Sequence, residues 1–119
     1  MLTIDSLRAY GANVDEGLNR CLNNEEFYLR MVNMALEDPN FDKLKAAMAA
    51  GNSPAAFEAA HALRGSVGNV SLTPIYGPVC QLTELLRGQT EPVDGGALVD
   101  EILAQLERVR AVNGAEYDR

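Results

Sequence analysis

The sequence predicts an all-α protein, an up-and-down antiparallel four-helix bundle with short capping helices at its N-terminal end. Alanine and leucine are its most frequent residues, and both favour helices. Prolines and glycines stand where one amphipathic segment stops and the next begins, whereas the alternating pattern of a β-strand is almost absent. The connectors between these segments are short, which favours antiparallel neighbours. At 119 residues the chain is predicted to form one domain, 1–119, with a single modest core.

Residues 1–23 predict two short helices that cap one end of the bundle. The stretch LTIDSLRAYG indicates a helix that ends at Gly11, and VDEGLNRCLNN indicates another with Asp15 as its N-cap. Glu16 then lies in the first turn of the second helix, where a negative charge interacts favourably with the helix dipole.

The bundle is predicted over residues 24–113, and residues 24–50 form its first arm, which is broken. Pro39 interrupts this arm because proline disfavours helix in the residue before it, and FDKLKAAMAAG then continues as helix to Gly51. Apolar residues before the proline recur three and four positions apart, which predicts a buried stripe. That stripe comprises Phe27, Met31, Met34 and Ala35.

Two pairs of a hydroxyl residue and a proline, Ser53-Pro54 and Thr73-Pro74, mark the beginnings of the next two helices. The first is predicted to run to about residue 70, and the second to about residue 87, where Gly88 can end it. After a turn-rich connector, QTEPVDGG, the final helix runs through ALVDEILAQLERVRAVNG, and the tail at 114–119 is expected to fray. The buried side of the final helix is predicted to comprise Leu98, Ile102, Leu106 and Val109.

The formal net charge of −7 argues against binding to nucleic acid or to anionic lipid. The N-terminal stretch has neither the basic segment nor the apolar run of a signal peptide, and no stretch approaches the roughly 18 apolar residues of a membrane helix. We therefore expect a cytoplasmic protein. Cys21 and Cys80 are predicted to be reduced structural thiols; the alternative, a redox pair, has no supporting motif.

The only histidine, His61, lies in EAAHALRGSVGNV, and the helical period predicts its direction. With about 100° between successive residues, the small and apolar side chains of this segment fall between about 160° and 260° from His61. They are Ala56, Ala59, Ala60, Leu63, Val67 and Val70. His61 is therefore predicted to face solvent, opposite this buried stripe. Gly65, Gly68, Arg64 and Phe57 share its sector, at about +40°, −20°, −60° and −40°.

Gly65 and Gly68 are unfavourable inside a helix, each by about 1 kcal/mol relative to alanine. One explanation is that a neighbouring helix packs closely over them, which would bury the face that carries His61. The other, which we favour, is that a partner approaches the helix backbone beside His61.

An exposed, neutral imidazole carries a free lone pair and is a competent nucleophile towards phosphorus. Phosphoryl transfer needs alignment and nearby positive charge more than covalent machinery, and Arg64, one turn on, can reach the phosphoryl oxygens. Arg64 as a solvated surface charge is the alternative. Glu58 can orient the imidazole or pair with Arg64, although a plain surface carboxylate is the simpler interpretation.

Other chemistries lack the necessary residues. Glu58 and His61 have the Glu-x-x-His spacing of di-iron bundles, but a second such motif requires a second histidine. A serine or cysteine hydrolase needs a buried constellation in a pocket, which an outward-facing histidine does not provide. The sequence has no glycine-rich phosphate loop. We therefore expect a carrier of a group, not a self-sufficient enzyme.

The run His61-Ala62-Leu63-Arg64-Gly65-Ser66-Val67-Gly68 resembles the pattern of histidine-containing phosphotransfer (HPt) domains: His, two residues, Lys or Arg, Gly, and a further small residue. The resemblance is strong over residues 55–87 and extends to the rest as an all-helical outline. It implies that His61 accepts the phosphoryl group, that Arg64 lies near it, and that Gly65 and Gly68 let a partner dock. Phe57 and Glu58 would border that docking surface.

The resemblance implies a phosphorelay intermediate. The sequence holds no kinase or receiver segment, so we expect a free-standing shuttle, and a monomer suits a working face that must stay free. Its partners would be receiver domains of response regulators or hybrid histidine kinases, one of which donates the phosphoryl group from a phospho-aspartate. No cofactor of its own is expected, because Mg²⁺ would sit on the receiver. The alternative is a helical interaction module that binds a receiver or kinase without being phosphorylated.

Three positions depart from the family's usual pattern. Arg64 replaces the commoner lysine, which preserves the charge. Ser71 stands where glycine is frequent. The Gly77-Pro78 pair is unusual, and Pro78, one turn inside its helix, is expected to bend the helix or leave its first turn irregular.

Overall fold

The structure is a computed structural model that describes residues 2–117, with side chains described for residues 2–112. Within this range the chain forms seven α-helices and no strand, which confirms the all-α class. The helices are α1 (Ile4–Tyr10), α2 (Val14–Arg20), α3 (Glu25–Leu36), α4 (Asn40–Ala49), α5 (Ser53–Asn69), α6 (Thr73–Leu86) and α7 (Gly96–Tyr117).

Four helices, α4 to α7, surround the core. Helix α5 packs against α4 on one side and α6 on the other, and α7 contacts both α6 and α4, so the four form a closed ring of neighbours. Helix α1 packs on α7 and α2, and α3 packs on α2 and α5. Helices α1, α2 and α3 thus pack against this ring, and their buried side chains belong to the same core.

The helices begin one or two residues away from the predicted caps. The N-cap of α2 is Asn13, whose side chain accepts from the Glu16 N–H, and not Asp15, which instead pairs with Arg8 at 2.7 Å. The N-cap of α5 is Asn52, one residue before Ser53. The N-cap is the residue whose side chain accepts from the free N–H groups of the first turn. Several residues near the start of each helix have a side chain that could do this, so the sequence does not single out one of them.

Ser53 has a different part in the fold. Its side chain is buried, and its hydroxyl donates to the Glu91 carbonyl at 2.6 Å, so it ties the start of α5 to the connector before α7. Helix α6, unlike α5, has no side-chain cap, because its N-cap residue is Leu72 and not Thr73. Pro78 lies inside α6, which is continuous from Thr73 to Leu86.

The predicted helix ends agree better with the structure. Gly11 closes α1 with a φ of +111°, and Gly88 follows α6 with a φ of +72°, both left-handed values that favour glycine. Helix α7 continues to Tyr117 and so overlaps the tail that was expected to fray over 114–119; residues 118 and 119 lie outside the described residues.

The buried stripe of α5 is confirmed residue by residue. All of its predicted members are at most 3 % exposed: Ala56, Ala59, Ala60, Leu63, Val67 and Val70. In α7, Ile102, Leu106 and Val109 are buried as predicted, whereas Leu98 is only half-buried and Val99 contributes to the core beside it.

The predicted stripe of α3 is wrong at two of its four positions, Phe27 and Met34, whereas Ala35 is buried and Met31 is half-buried against the core. The buried residues of this helix are Tyr28, Val32, Ala35 and Leu36. Phe27 and Met34 are 42 % and 61 % exposed, and only Ala35 belongs to both sets. Tyr28 decides the rotation of the helix, because its ring lies against Gly17 and its hydroxyl donates to the Val70 carbonyl at 2.8 Å.

Both cysteines are free thiols, as predicted; Cys21 is buried and Cys80 is half-buried. None of the helices in the described part of the chain combines the length and the apolar character needed to cross a membrane.

Candidate functional site

His61 lies in the middle of α5 with its side chain exposed, as the helical period predicts. The buried stripe on the opposite side of α5 packs against α4 and α6 and sets this direction. One turn earlier, Phe57 stacks on the imidazole, with ring centroids 5.8 Å apart and an angle of 14° between the planes. Phe57 is half-buried, so it gives the exposed imidazole a fixed apolar neighbour on one face.

A concave surface of about 450 Å³ opens beside His61, between the second half of α5, helix α2 and the start of α6. It brings together four of the predicted site residues: His61, Arg64, Gly65 and Gly68. The other residues that line it are Glu16, Arg20, Asn69, Ser71, Thr73 and Tyr76. Phe57 and Glu58 lie outside this concavity, and Glu58 is exposed.

Arg64 is held by α6. Its Nη1 lies 3.5 Å from the Glu84 carboxylate, and its side chain is 40 % exposed. The Tyr76 hydroxyl foremost, and the Glu84 charge to a lesser extent, raise the pKa of the Arg64 guanidinium above its ordinary value. Arg64 is therefore a permanent cation in the same concavity as His61, and its ionic partner is Glu84 and not Glu58.

Arg20 is a second cation of the concavity, which the sequence did not single out. Its Nη1 donates to the Gly68 carbonyl at 2.9 Å and to the Ser71 hydroxyl at 2.8 Å, and its Nη2 pairs with Glu16 at 2.7 Å. Its main contacts thus neutralise the carbonyl end of α5 and tie α2 to it. No spacing in the sequence signals this, since Arg20 and Gly68 are brought together only by the tertiary fold.

Ser71 explains one departure from the family pattern. Its φ is +57°, in the left-handed region that favours glycine. The side chain is buried, and its hydroxyl accepts from Arg20 and donates to Glu16 at 2.9 Å. The Ser71 hydroxyl foremost, and then Arg20, hold the pKa of the Glu16 carboxyl below its usual value. These hydrogen bonds offset the backbone cost of a non-glycine residue at this position.

The two glycines beside His61 have different surroundings. A Cβ at Gly65 would meet nothing within 4 Å, whereas a Cβ at Gly68 would lie 2.8 Å from the ring of Tyr76. Close packing by α6 therefore accounts for Gly68, although His61 remains exposed. The expectation that such packing would bury the histidine face is wrong, because Tyr76 covers Gly68 from one side only.

Glu84 of α6 and Arg87, the residue that follows this helix, complete the surroundings. Arg87 donates to the Glu84 carboxylate at 3.0 and 2.9 Å, and its guanidinium carbon lies 5.2 Å from the centroid of Phe57. Glu84 thus contacts two arginines, Arg64 and Arg87.

Comparison with known families agrees with this arrangement. The family model described as Hpt domain matches residues 31–112, a range that includes His61, Arg64 and both glycines. Comparison with curated proteins and with solved structures gave no significant match. Because the match covers more than half of the 119 residues, the chain belongs to the family of Hpt domains, the phosphotransfer modules of two-component phosphorelays.

Proposed function

We propose that this Hpt domain is a phosphocarrier that accepts a phosphoryl group on His61 from the phospho-aspartate of one receiver domain and passes it to another. The observation that carries the proposal is the position of the chain's only histidine. It is exposed at a concave surface that also holds the permanent cation Arg64. A nucleophile and a cation on adjacent turns of one helix are what phosphoryl transfer requires of a carrier.

In the transfer step the lone pair of one imidazole nitrogen of His61 attacks phosphorus. A nitrogen–phosphorus bond forms as the bond between phosphorus and the aspartyl oxygen breaks, and the aspartate leaves as a carboxylate. The proton stays on the other ring nitrogen. Arg64 offsets the negative charge on the phosphoryl oxygens, and the onward transfer is the same step in reverse with a second receiver.

The receiver would supply the aspartate and Mg²⁺, so this chain needs no cofactor and acts as a carrier, not as a self-sufficient enzyme. It would dock over the open backbone at Gly65, with Gly68, Phe57 and Glu58 around it. The protein would be an up-and-down antiparallel four-helix bundle that works in the cytoplasm. It would act as a monomer, because a monomer leaves this face free for the donor and then for the acceptor.

The test is phosphorylation by a panel of phosphorylated receiver domains in the presence of Mg²⁺. We expect wild type to gain a phosphate that is labile in acid and stable in alkali, and His61→Gln to gain none. Arg64→Ala should slow labelling by about ten- to a hundredfold, since it removes a charge aimed at the transferring group, while Arg64→Lys should retain most of the rate.

Two results would contradict the carrier function. One is a wild-type protein that stays unlabelled although it binds a receiver, which would instead support a helical interaction module that is not phosphorylated. The other is labelling of His61→Gln to the same extent as wild type. Circular dichroism of each variant serves as the control for folding.

A further inference from the structure

Glu84 is shared unequally between two arginines. Arg87 binds both oxygens of its carboxylate, with Nε and Nη2 at 3.0 and 2.9 Å, whereas Arg64 makes one contact of 3.5 Å to one oxygen. A two-pronged arginine–carboxylate pair is stronger and more directional than a single long contact. Of its two partners, Glu84 therefore holds Arg87 firmly and Arg64 loosely.

Arg87 also keeps Glu84 in place. It is the residue that ends α6, and its guanidinium lies over Phe57, the ring that stacks on His61. Because Arg87 contacts both Glu84 and Phe57, the Glu84 carboxylate keeps its place beside Arg87 whether or not Arg64 is paired with it. The Arg87 hydrogen bonds foremost lower the pKa of the Glu84 carboxyl, so it stays ionised near neutral pH.

A phosphoryl group on His61 would compete with Glu84 for Arg64. It carries up to two negative charges against one, and it offers several oxygens to the guanidinium. The Arg64–Glu84 contact is between partly exposed side chains, 40 % and 58 %, and such contacts are weak and easily exchanged.

We propose that Glu84 is a positioning residue that holds Arg64 beside His61 in the unmodified protein and releases it to the phosphoryl group. This rests on the proposed function of His61. Glu84 then limits how tightly Arg64 retains the phosphoryl group, because each onward transfer returns Arg64 to a waiting partner. A carrier that must give its group away benefits from this competition, since an uncontested cation would favour the phosphorylated form.

The experiment measures the equilibrium distribution of phosphoryl groups between a receiver and His61 in the full chain. Glu84→Gln should shift it towards His61 by about threefold or more, since it removes the competitor for Arg64 and one nearby negative charge. Arg87→Gln should shift it the other way, because Glu84 is then left with Arg64 as its only partner. The matched control is Glu107→Gln, which removes a charge paired at the same 3.5 Å with Arg110, away from His61.

A second measurement follows the Nε–H signal of Arg64 by NMR in the unmodified protein. Glu84→Gln should move this signal and Glu107→Gln should not. In an Arg64→Ala background the gain from Glu84→Gln should largely disappear, because Glu84 acts through Arg64. This separates positioning from a general effect of charge or fold.

The inference is overturned if Glu84→Gln leaves the distribution equal to that of the Glu107→Gln control. An equal gain in the Arg64→Ala background overturns it too. If wild type does not label at His61, the proposed function fails. In that case the Nε–H signal of Arg64 still tests whether Glu84 positions Arg64. If Glu84→Gln leaves this signal where it is in wild type, Glu84 does not position Arg64.

Discussion

Gly65 and Gly68 lie three residues apart on α5, and each has its own reason for lacking a side chain. At Gly65 the space above the backbone is open, since a Cβ there would meet nothing within 4 Å. At Gly68 the ring of Tyr76 occupies that space. The Tyr76 hydroxyl is also the foremost group that raises the pKa of Arg64. Gly65 keeps the surface beside His61 clear, and Gly68 lets Tyr76 of α6 pack closely on α5.

The pair of variants Gly65→Leu and Gly68→Leu tests this difference. Gly65→Leu should fold at least as stably as wild type, because leucine is favoured over glycine in a helix by about 1 kcal/mol, and it should slow transfer from a receiver about tenfold. Gly68→Leu should be less stable than Gly65→Leu by about 1–3 kcal/mol, because its side chain overlaps Tyr76. Urea unfolding measures the stability of each variant, and labelling kinetics measure its rate of phosphoryl transfer. Equal stabilities would contradict the packing at Gly68, and unimpaired transfer in Gly65→Leu would contradict docking there.

At the scale of the element, α3 shows how one helix can carry two apolar faces. Phe27, Met31 and Met34 are spaced as regularly as Tyr28, Val32 and Ala35, and the two sets are offset by one residue or about 100° around the helix. The structure buries the second set because Tyr28 reaches the Val70 carbonyl, a bond that no residue of the first set provides. Of the first set, Phe27 and Met34 are exposed on the surface of α3, and Met31 is half-buried against the core.

Alanine substitution on each face of α3 should separate the two sets. Val32→Ala should lower the free energy of unfolding by about 2 kcal/mol, since it removes two buried methyl groups and leaves a small cavity. Met34→Ala should change the free energy of unfolding by no more than about 0.5 kcal/mol, because the side chain is mostly in solvent. Chemical denaturation of both variants is the measurement, and a larger loss in Met34→Ala would mean that the helix is rotated.

Across the whole molecule, two buried tyrosines join helices that are distant in the sequence. Tyr28 connects α3 to the end of α5, and Tyr10 connects α1 to α7 through a hydrogen bond of 3.2 Å to the Gln105 carbonyl. Burial raises the pKa of each of these two phenols to about 12. Both donate a proton that must be present for the contact to exist.

The fold should therefore lose stability in alkali. A folded-state pKa above that of the unfolded chain, about 10, means that the stabilisation is complete below pH 10 and is lost as the pH rises towards 12. Each tyrosine should account for about 2 kcal/mol of the free energy of unfolding over this range. Urea unfolding at pH 9 and at pH 11.5 measures the loss. Tyr28→Phe is the control, and it should be less stable at pH 9 but show a smaller loss between the two pH values; an unchanged loss would contradict the assignment.

Much of the site could be predicted because it lies within one helix. His61, Arg64, Gly65 and Gly68 are at fixed angles on α5 once the helical period is known, and the buried stripe opposite them sets the direction. The parts contributed by other helices could not be predicted in this way. Arg20, Tyr76 and Glu84 reach the site only because α2 and α6 pack against α5, and no spacing along the chain encodes those distances.

The sequence by itself therefore determined the all-α class, the helix ends at Gly11 and Gly88, and the exposed His61 opposite its buried stripe. These depend on local periodicity and on backbone preferences, which act over a few residues. The tertiary structure alone decided which face of α3 is buried, which partner holds Arg64 and why Gly68 is glycine. Each of these is a competition between alternatives of similar local energy, and contacts between helices distant in sequence select one of them.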